Sequence, residues 1–500
     1  MNRRKFLLAS AATLVVGKAY AQMNHGAMDQ SMPGMNGMMG GAKGKPVALP
    51  EGAPFKEPAK LINTSLEPGK FVAKITAAPA KVQLAKSLET PILAYNGQTP
   101  GPLVEVTEGD HVEISFANRI PKQDSTIHWH GLVVPAIQDG GPTEPVKSGS
   151  DRIYAFDIPA NSAGSYWYHP HPHGKAAEQV YRGLAGAFIV KPKLDPIPPE
   201  FGDTVLFMSD LRLAADGTLP PSTMIDTMNG RIGDHVLVNG QKNPVLNMPV
   251  GTSRRFCLYN ATSARFLQVS FGTLPITLIG TDGGLLETPA EVGNEVLLAP
   301  AERMEVVVTF PAAGLVKLST LSYDHGWMGP GRPKDDGVNL LSVNVTKDKV
   351  ASTPTMPAKL RNIPELGAST LTRRFTLSET MGMDANGMTM AFLINGKSFD
   401  MQRVDEVSKV GQVELWEINN PTDMDHPFHI HGTQFQVVET ERDGVKTKKP
   451  FRALKDTVNV KRGEIVRLLT RQDLPGVRMY HCHILEHEDL GMMGQIDVKA

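Results

Sequence analysis

One short pattern recurs three times in the same order, and it limits the folds open to this chain more than any other feature. An Asn-Gly pair comes first, a further Gly follows, and nine residues after that Gly stands an Asn. The copies read Tyr95-Asn96-Gly97-Gln98-Thr99-Pro100 with Gly109 and Asn118, Val238-Asn239-Gly240-Gln241-Lys242-Asn243-Pro244 with Gly251 and Asn260, and Ile394-Asn395-Gly396-Lys397 with Gly411 and Asn420. Asn-Gly supplies the positive φ of a tight turn. The stretch between the second Gly and the Asn alternates as a strand does, as in Val112-Glu113-Ile114-Ser115-Phe116. Three ordered copies that divide the chain evenly predict three related β domains. Linkers fall between them: a Pro-rich run at 191–199, and 351–369 with three prolines. The predicted domains are 47–195, 196–352 and 353–500. Frequent Gly and Pro (47 and 38) between short Val/Ile/Leu runs, with no long amphipathic helix, predict an all-β chain of sandwiches.

The ends and the charge narrow the class. Arg3-Arg4 precede Phe6-Leu7-Leu8 and a short apolar run, and Ala19-Tyr20-Ala21 fits a cleavage site, so 1–21 read as an export signal. The run is too short to span a bilayer. Paired arginines resemble a twin-arginine signal, which carries folded proteins; an ordinary secretory signal is the other reading. Residues 22–46 hold Met23, Met28, Met32, Met35, Met38 and Met39 among Gly, Asn, Gln and Ala, with no periodic apolar face. A solvated linker and a soft-ligand segment for Cu(I) fit them equally. A net charge of −1 offers no nucleic-acid footprint. Of the two cysteines, Cys257 sits in the apolar run Arg255-Phe256-Cys257-Leu258-Tyr259 and reads as a buried, inert thiol.

The chemistry lies in four His-x-His pairs: His128-Trp129-His130, His169-Pro170-His171, His429-Ile430-His431 and His481-Cys482-His483. On a strand, residues i and i+2 share a face about 6.6 Å apart. Each pair can therefore reach two neighbouring metals rather than chelate one. Two pairs fall in the first domain and two in the third, so neither domain completes a cluster alone. One such pair is often chance; eight of fifteen histidines in this pattern are not. Imidazole suits copper, and structural zinc sites usually include cysteine. Cys482-x4-His487-x4-Met492, with His426 upstream, supplies the thiolate, imidazoles and thioether of a blue-copper site. Cys482 points away from the face of His481 and His483, so one strand serves both centres.

These segments, together with Trp167-Tyr168 before His169 and Ile484-Leu485-Glu486-His487-Glu488-Asp489-Leu490-Gly491-Met492-Met493 after His483, resemble the four copper motifs of multicopper oxidases. The resemblance runs from about residue 50 to the end and is nearest the bacterial cuprous oxidase and laccase branch. It implies three cupredoxin-like Greek-key domains and four copper ions. His426, Cys482, His487 and Met492 would bind type 1 copper, with Met493 the rival axial ligand. His128 and His429 would bind type 2. His130, His169 and His483 would bind one type 3 ion, and His171, His431 and His481 the other. Asp139 and Glu488 match acids near the cluster, where reduction of O2 to water consumes protons; a turn residue and a surface charge are their plainer readings. His25, His111, His173, His235 and His325 have no ligand role in the pattern.

The resemblance implies a monomeric, periplasmic or secreted oxidase that passes electrons from a phenol, an aromatic amine, Cu(I) or Fe(II) to O2. The stretch 379–390 is short where some relatives carry a long Met/His-rich lid, which predicts easier access of organic donors to His426 and His487. Met381, Met383, Asp384 and Met424 read either as a Cu(I) docking site or as core methionines with an incidental acid. Copper nitrite reductase lacks four His-x-His pairs. A copper-binding or scaffold protein without oxidase turnover would have lost ligands that are all present here.

Overall fold

The computed structural model describes residues 47–85, 88–329, 332, 337–350, 352–384 and 387–500; the side chains of 384, 387 and 388 are outside the description. The predicted signal, the Met-rich 22–46 segment and His25 lie outside the described residues, as does the side chain of Asp384. Nearly all regular structure is strand. Three α-helices occur among the described residues: α1 (Ala176–Tyr181), α2 (Met224–Asn229) and α3 (Leu485–Asp489). None is long and apolar enough to cross a membrane.

Six sheets pair off along the chain into three sandwiches. The first joins a sheet carrying Lys70–Ala85 and His111–Asn118 to one carrying Gly164–His169 and His128–His130. Six- and five-stranded sheets form each of the other two. Each sandwich has its own apolar core, centred on Ile75, Phe116 and Trp129, on Phe256, Leu258 and Phe310, and on Trp416, Phe428 and Tyr480. Burying one such side chain stabilises the fold by about 1.5–3 kcal/mol.

The repeated residues hold the same posts in each sandwich. Asn96, Asn239 and Asn395 have φ of 52°, 52° and 55°, and the glycines after them 77°, 77° and 72°. The Asn side chain then ties the turn to the neighbouring strand: Asn96 accepts from Thr76 N (2.7 Å), Asn239 from Phe207 N (2.9 Å) and Asn395 from Thr376 N (2.8 Å). The later asparagines are buried strand ends. Asn118 donates to the carbonyls of Gln123 and Val146, Asn260 to Arg265 and Leu298, and Asn420 to Met424 and Val460. Each thereby ties two main-chain carbonyls of its own sandwich to a buried strand end, where polar groups need partners.

Helix α2 is too short to form without help. Thr223 Oγ1 accepts from Asp226 N (3.2 Å), the Asp226 carboxylate accepts from Thr223 N (2.8 Å), and Arg212 clamps that carboxylate (2.8 Å). This capping box fixes Met228, which bears directly on the site described next.

Candidate metal centres

The third domain's five-stranded sheet sets His426–Ile430 beside Gly476–Cys482 in a register that places Cys482 opposite Phe428 and His429 opposite His481. Cys482 therefore enters the third core, while His481 leaves on the other face. Next to Cys482 Sγ stand His426 Nδ1 at 3.5 Å and His487 Nδ1 at 3.9 Å, and the two nitrogens are 3.4 Å apart. Their second nitrogens are engaged: Thr422 Oγ1 lies 2.9 Å from His426 Nε2, and the Met228 carbonyl 3.1 Å from His487 Nε2. Two lone pairs and a thiol thus converge on one point. Ile484 N donates to the sulfur at 3.4 Å. Burial pushes the Cys482 thiol above its usual range and His426 down to about 3, which favours neutral donors until a cation supplies the missing charge. Met492 packs in the same core as Cys482, whereas Met493 packs with Phe399 and Met479.

The other eight histidines meet between the first and third domains, all wholly buried. They form three groups whose donor atoms lie within 4.8 Å of one another: His128, His130 and His429; His130, His169 and His483; His171, His431 and His481. His481 Nε2 is 3.2 Å from His171 Nε2 and 3.0 Å from His431 Nε2. Nε2 of His128, His169 and His429 and Nδ1 of His130 have no hydrogen-bond partner. Their outer nitrogens do: His128 Nδ1 faces the Asp139 carbonyl (3.0 Å), His169 Nδ1 the Pro170 carbonyl (3.0 Å) and His429 Nδ1 the Asp456 carbonyl (2.8 Å). Outer N–H groups so anchored turn the inner lone pairs toward one space, and burial with mutual repulsion lowers these imidazoles toward the neutral, ligating form. That donor set fits copper. The strand argument for His-x-His holds within one strand only for His128-Trp129-His130, where Trp129 fills the first core. The other pairs straddle strand ends, yet His169 and His171, like His429 and His431, still fall in different groups.

Both predicted acids lie at the cluster and are buried. Asp139 Oδ2 is 2.7 Å from His431 Nδ1. Gly140 makes this possible: its φ is 75°, and a Cβ there would stand 1.7 Å from the Ile127 carbonyl oxygen. Glu488 is no surface charge; its oxygens lie 3.4 Å from His171 Nδ1 and 3.2 Å from His481 Nδ1. Burial raises the Glu488 carboxyl.

Besides Met228, three contributors escaped the sequence reading. Asp456 Oδ1 lies 3.0 Å from His130 Nε2. Arg303, from the second domain, donates to Asp456 Oδ1 (2.7 Å) and Oδ2 (2.5 Å), and to the Ser165 carbonyl (2.8 Å) of the first. It thereby joins all three domains behind His130. Phe392 stacks on His487 at 3.8 Å. No spacing signal marks these residues.

The short 379–390 stretch, from which easier access of organic donors is expected, does not by itself expose the two imidazoles beside Cys482. His426 is 1% exposed and His487 not at all. The cover is Met228 on α2 and Phe392, not an insert at 379–390, so shortening that stretch leaves the imidazoles closed. Met381 and Met383 are 60% and 80% exposed on the adjoining hairpin, while Met424 is buried in the third core. Cys257 is buried and unpaired, as expected. His111 pairs with Asp157 (2.6 Å), His173 packs on Phe399, His325 stacks on Phe266, and His235 is buried away from both centres.

Three family models, each described as multicopper oxidase, match residues 76–195, 207–315 and 372–500. The chain belongs to the multicopper oxidase family. It is similar to multicopper oxidase mco of Staphylococcus aureus (33% identity; 85% of this chain, 88% of that one) and to a laccase of Bacillus subtilis (29%; 89% and 97%). Among solved structures, a multicopper oxidase from Campylobacter jejuni described as a metallo-oxidase matches at 41% identity and a TM-score of 0.84, covering 90% of this chain and 96% of that one. The oxidase thus has three cupredoxin-like domains, uses copper, and couples oxidation of a reducing substrate to reduction of O2.

Proposed function

We propose that the oxidase holds four copper ions and works as a laccase-like and cuprous oxidase. The observation that carries this reading is the convergence of unpartnered imidazole nitrogens from the first and third domains on one buried space, beside a separate Cys-His-His site. His426, Cys482, His487 and Met492 hold the type 1 ion. His128 and His429 hold the type 2 ion. His130, His169 and His483 hold one type 3 ion, and His171, His431 and His481 the other. Copper bound there supplies one-electron oxidation at the thiolate site and four-electron reduction of O2 at the cluster. Cys482 links the two, being covalently joined to both His481 and His483. Asp139 orients His431 and His128, and Glu488 stands where a carboxyl can pass protons to reduced oxygen between His171 and His481.

Donors are phenols, aromatic amines, Cu(I) or Fe(II). Exposed Met381 and Met383 support Cu(I), because thioethers are soft ligands. The paired arginines before Phe6 support export of the folded chain to the periplasm, where Cu(I) oxidation serves copper tolerance. Every ligand of both centres comes from one chain, which suits a monomer. The test is one copper-loaded preparation, in which copper per chain, blue absorbance and oxygen uptake with a phenol and with Cu(I) are measured. Four copper ions, blue colour and uptake with both donors are expected. A colourless protein that consumes no oxygen would sink the reading.

A further inference from the structure

Arg303 and Arg478 are the most deeply buried arginines among the described residues, each 1% exposed. Their surroundings differ. Arg303 grips both oxygens of Asp456. Arg478 donates to a single carbonyl, that of Val134 in the first domain (2.7 Å), and its Nε and Nη1 have no hydrogen-bond partner. Buried guanidinium N–H groups are costly to leave in that state.

Arg478 stands beside the cluster, on the Gly476–Cys482 strand that carries His481. That strand presses on the one-turn helix Ala136–Gln138, which Asp139 terminates: a Cβ on Gly476 would stand 2.6 Å from the Ala136 side chain. The guanidinium lies against Gly432, the neighbour of His431, where a Cβ would stand 2.2 Å from Arg478 Nη1. Asp139 Oδ2 is engaged at His431 Nδ1 (2.7 Å), but Oδ1, 3.6 Å from His128 Nδ1, has no hydrogen-bond partner. Gln472 donates to the His431 carbonyl (3.1 Å), and its Oε1 is likewise left over. Unused donors and unused acceptors thus surround His431–Gly432, where buried polar groups are normally satisfied. The two charges act on each other without a hydrogen bond between them: each opposes the loss of charge that burial imposes on the other.

We propose that Arg478 is a positioning residue for the cluster, holding Asp139 through one bound water and so keeping the Asp139 carboxylate on His431. Water accepts from a guanidinium and donates to a carboxylate or amide oxygen at once. An anion there would face two acceptors, and a cation would face Arg478. With Oδ1 held, the carboxylate cannot turn about its Cβ–Cγ bond. Oδ2 then stays on His431 Nδ1, and His431 Nε2 stays turned toward His481 Nε2 (3.0 Å) and the space the imidazoles share. Arg478 acts only through Asp139. The inference rests on the oxidase reading above.

The test is a double-mutant cycle on copper-loaded enzyme, dialysed against graded chelator, with copper per chain counted by mass spectrometry. Arg478→Met should release cluster copper at about tenfold lower chelator than wild type, with the blue absorbance unchanged. Arg478→Lys, which keeps a cation and a donor, should recover most of that loss. In an Asp139→Asn background, which replaces the free acceptor oxygen by a donor, Arg478→Met should cost nothing further, because the link it would break is already broken. Losses that multiply in the double variant, or an Arg478→Lys enzyme no better than Arg478→Met, would show that the side chain only fills space. If Arg478→Met does not fold, a crystal structure of the copper-loaded wild type decides. A water within hydrogen-bond distance of both Arg478 and Asp139 Oδ1 is expected there; direct contact between the two side chains, or no water, would overturn the proposal. A wild type that retains no cluster copper would overturn the oxidase reading instead.

Discussion

Replacing Asp456 by Asn should loosen the cluster while sparing the thiolate site. Asp456 touches the cluster twice, through its carboxylate at His130 Nε2 (3.0 Å) and its main-chain carbonyl at His429 Nδ1 (2.8 Å). Asn keeps the carbonyl, so His429 should stay in place. Its amide has one acceptor oxygen where the carboxylate has two, so it cannot serve both His130 and the fork of Arg303. Loss of a partner behind a metal ligand costs about 10–100-fold in affinity. With one of the two contacts retained, the lower end applies: about tenfold, or about 1.4 kcal/mol. Arg303 is left as a buried cation, and breaking a buried pair costs about 3–5 kcal/mol. The carbonyls of Ser165 and Ala301 and the nearby Asp282 remain to it, so about 3 kcal/mol of stability should be lost. The assay is dialysis against graded chelator, with copper per chain counted by mass spectrometry and blue absorbance followed in parallel. Cluster copper should leave at about tenfold lower chelator than in wild type, before the blue band fades. Equal retention, or loss of the blue band first, would refute the coupling of Asp456 to His130.

Three further outcomes test the assignments. Cys482→Ser should abolish the blue absorbance and leave the cluster copper bound; persistent intense colour would remove Cys482 from the type 1 site. Met492→Leu should raise the type 1 potential in a redox titration with little change in stability, since the two side chains have similar volume; an unchanged potential there with a raised one in Met493→Leu would reverse the choice of axial ligand. Asn260→Ala should lower stability by about 2 kcal/mol in urea unfolding without changing copper content, because it removes the side-chain donor from the buried Leu298 carbonyl while the Arg265 carbonyl keeps Thr262 Oγ1 (2.9 Å); a loss below about 0.5 kcal/mol would show that the Leu298 carbonyl finds another partner.

The chain's order of turns, strands and ligands is local information. Asn-Gly takes positive φ wherever it stands, and the buried asparagines answer to loop carbonyls within their own domain, so three sandwiches could be read from three short patterns. Ligand spacing is likewise covalent: His128 and His130, or Cys482 and His483, are held at fixed distances by the backbone, and few chemistries use so many imidazoles beside a thiolate. Asp139 and Glu488 were legible only through the resemblance to the family's copper motifs; their local sequence reads equally as a turn residue and a surface charge. What surrounds the metals was not legible. Asp456 meets His130 across 326 residues, and Arg303 reaches Asp456 from the second domain, which supplies none of the clustered imidazoles. The closure of His487 by Met228 and Phe392 depends on where α2 and the Gly387–Ile394 strand come to rest, which the short 379–390 stretch could not reveal. Such contacts arise only when separately folded sandwiches pack, because the free energy that places one surface against another is summed over whole faces rather than written in any one segment.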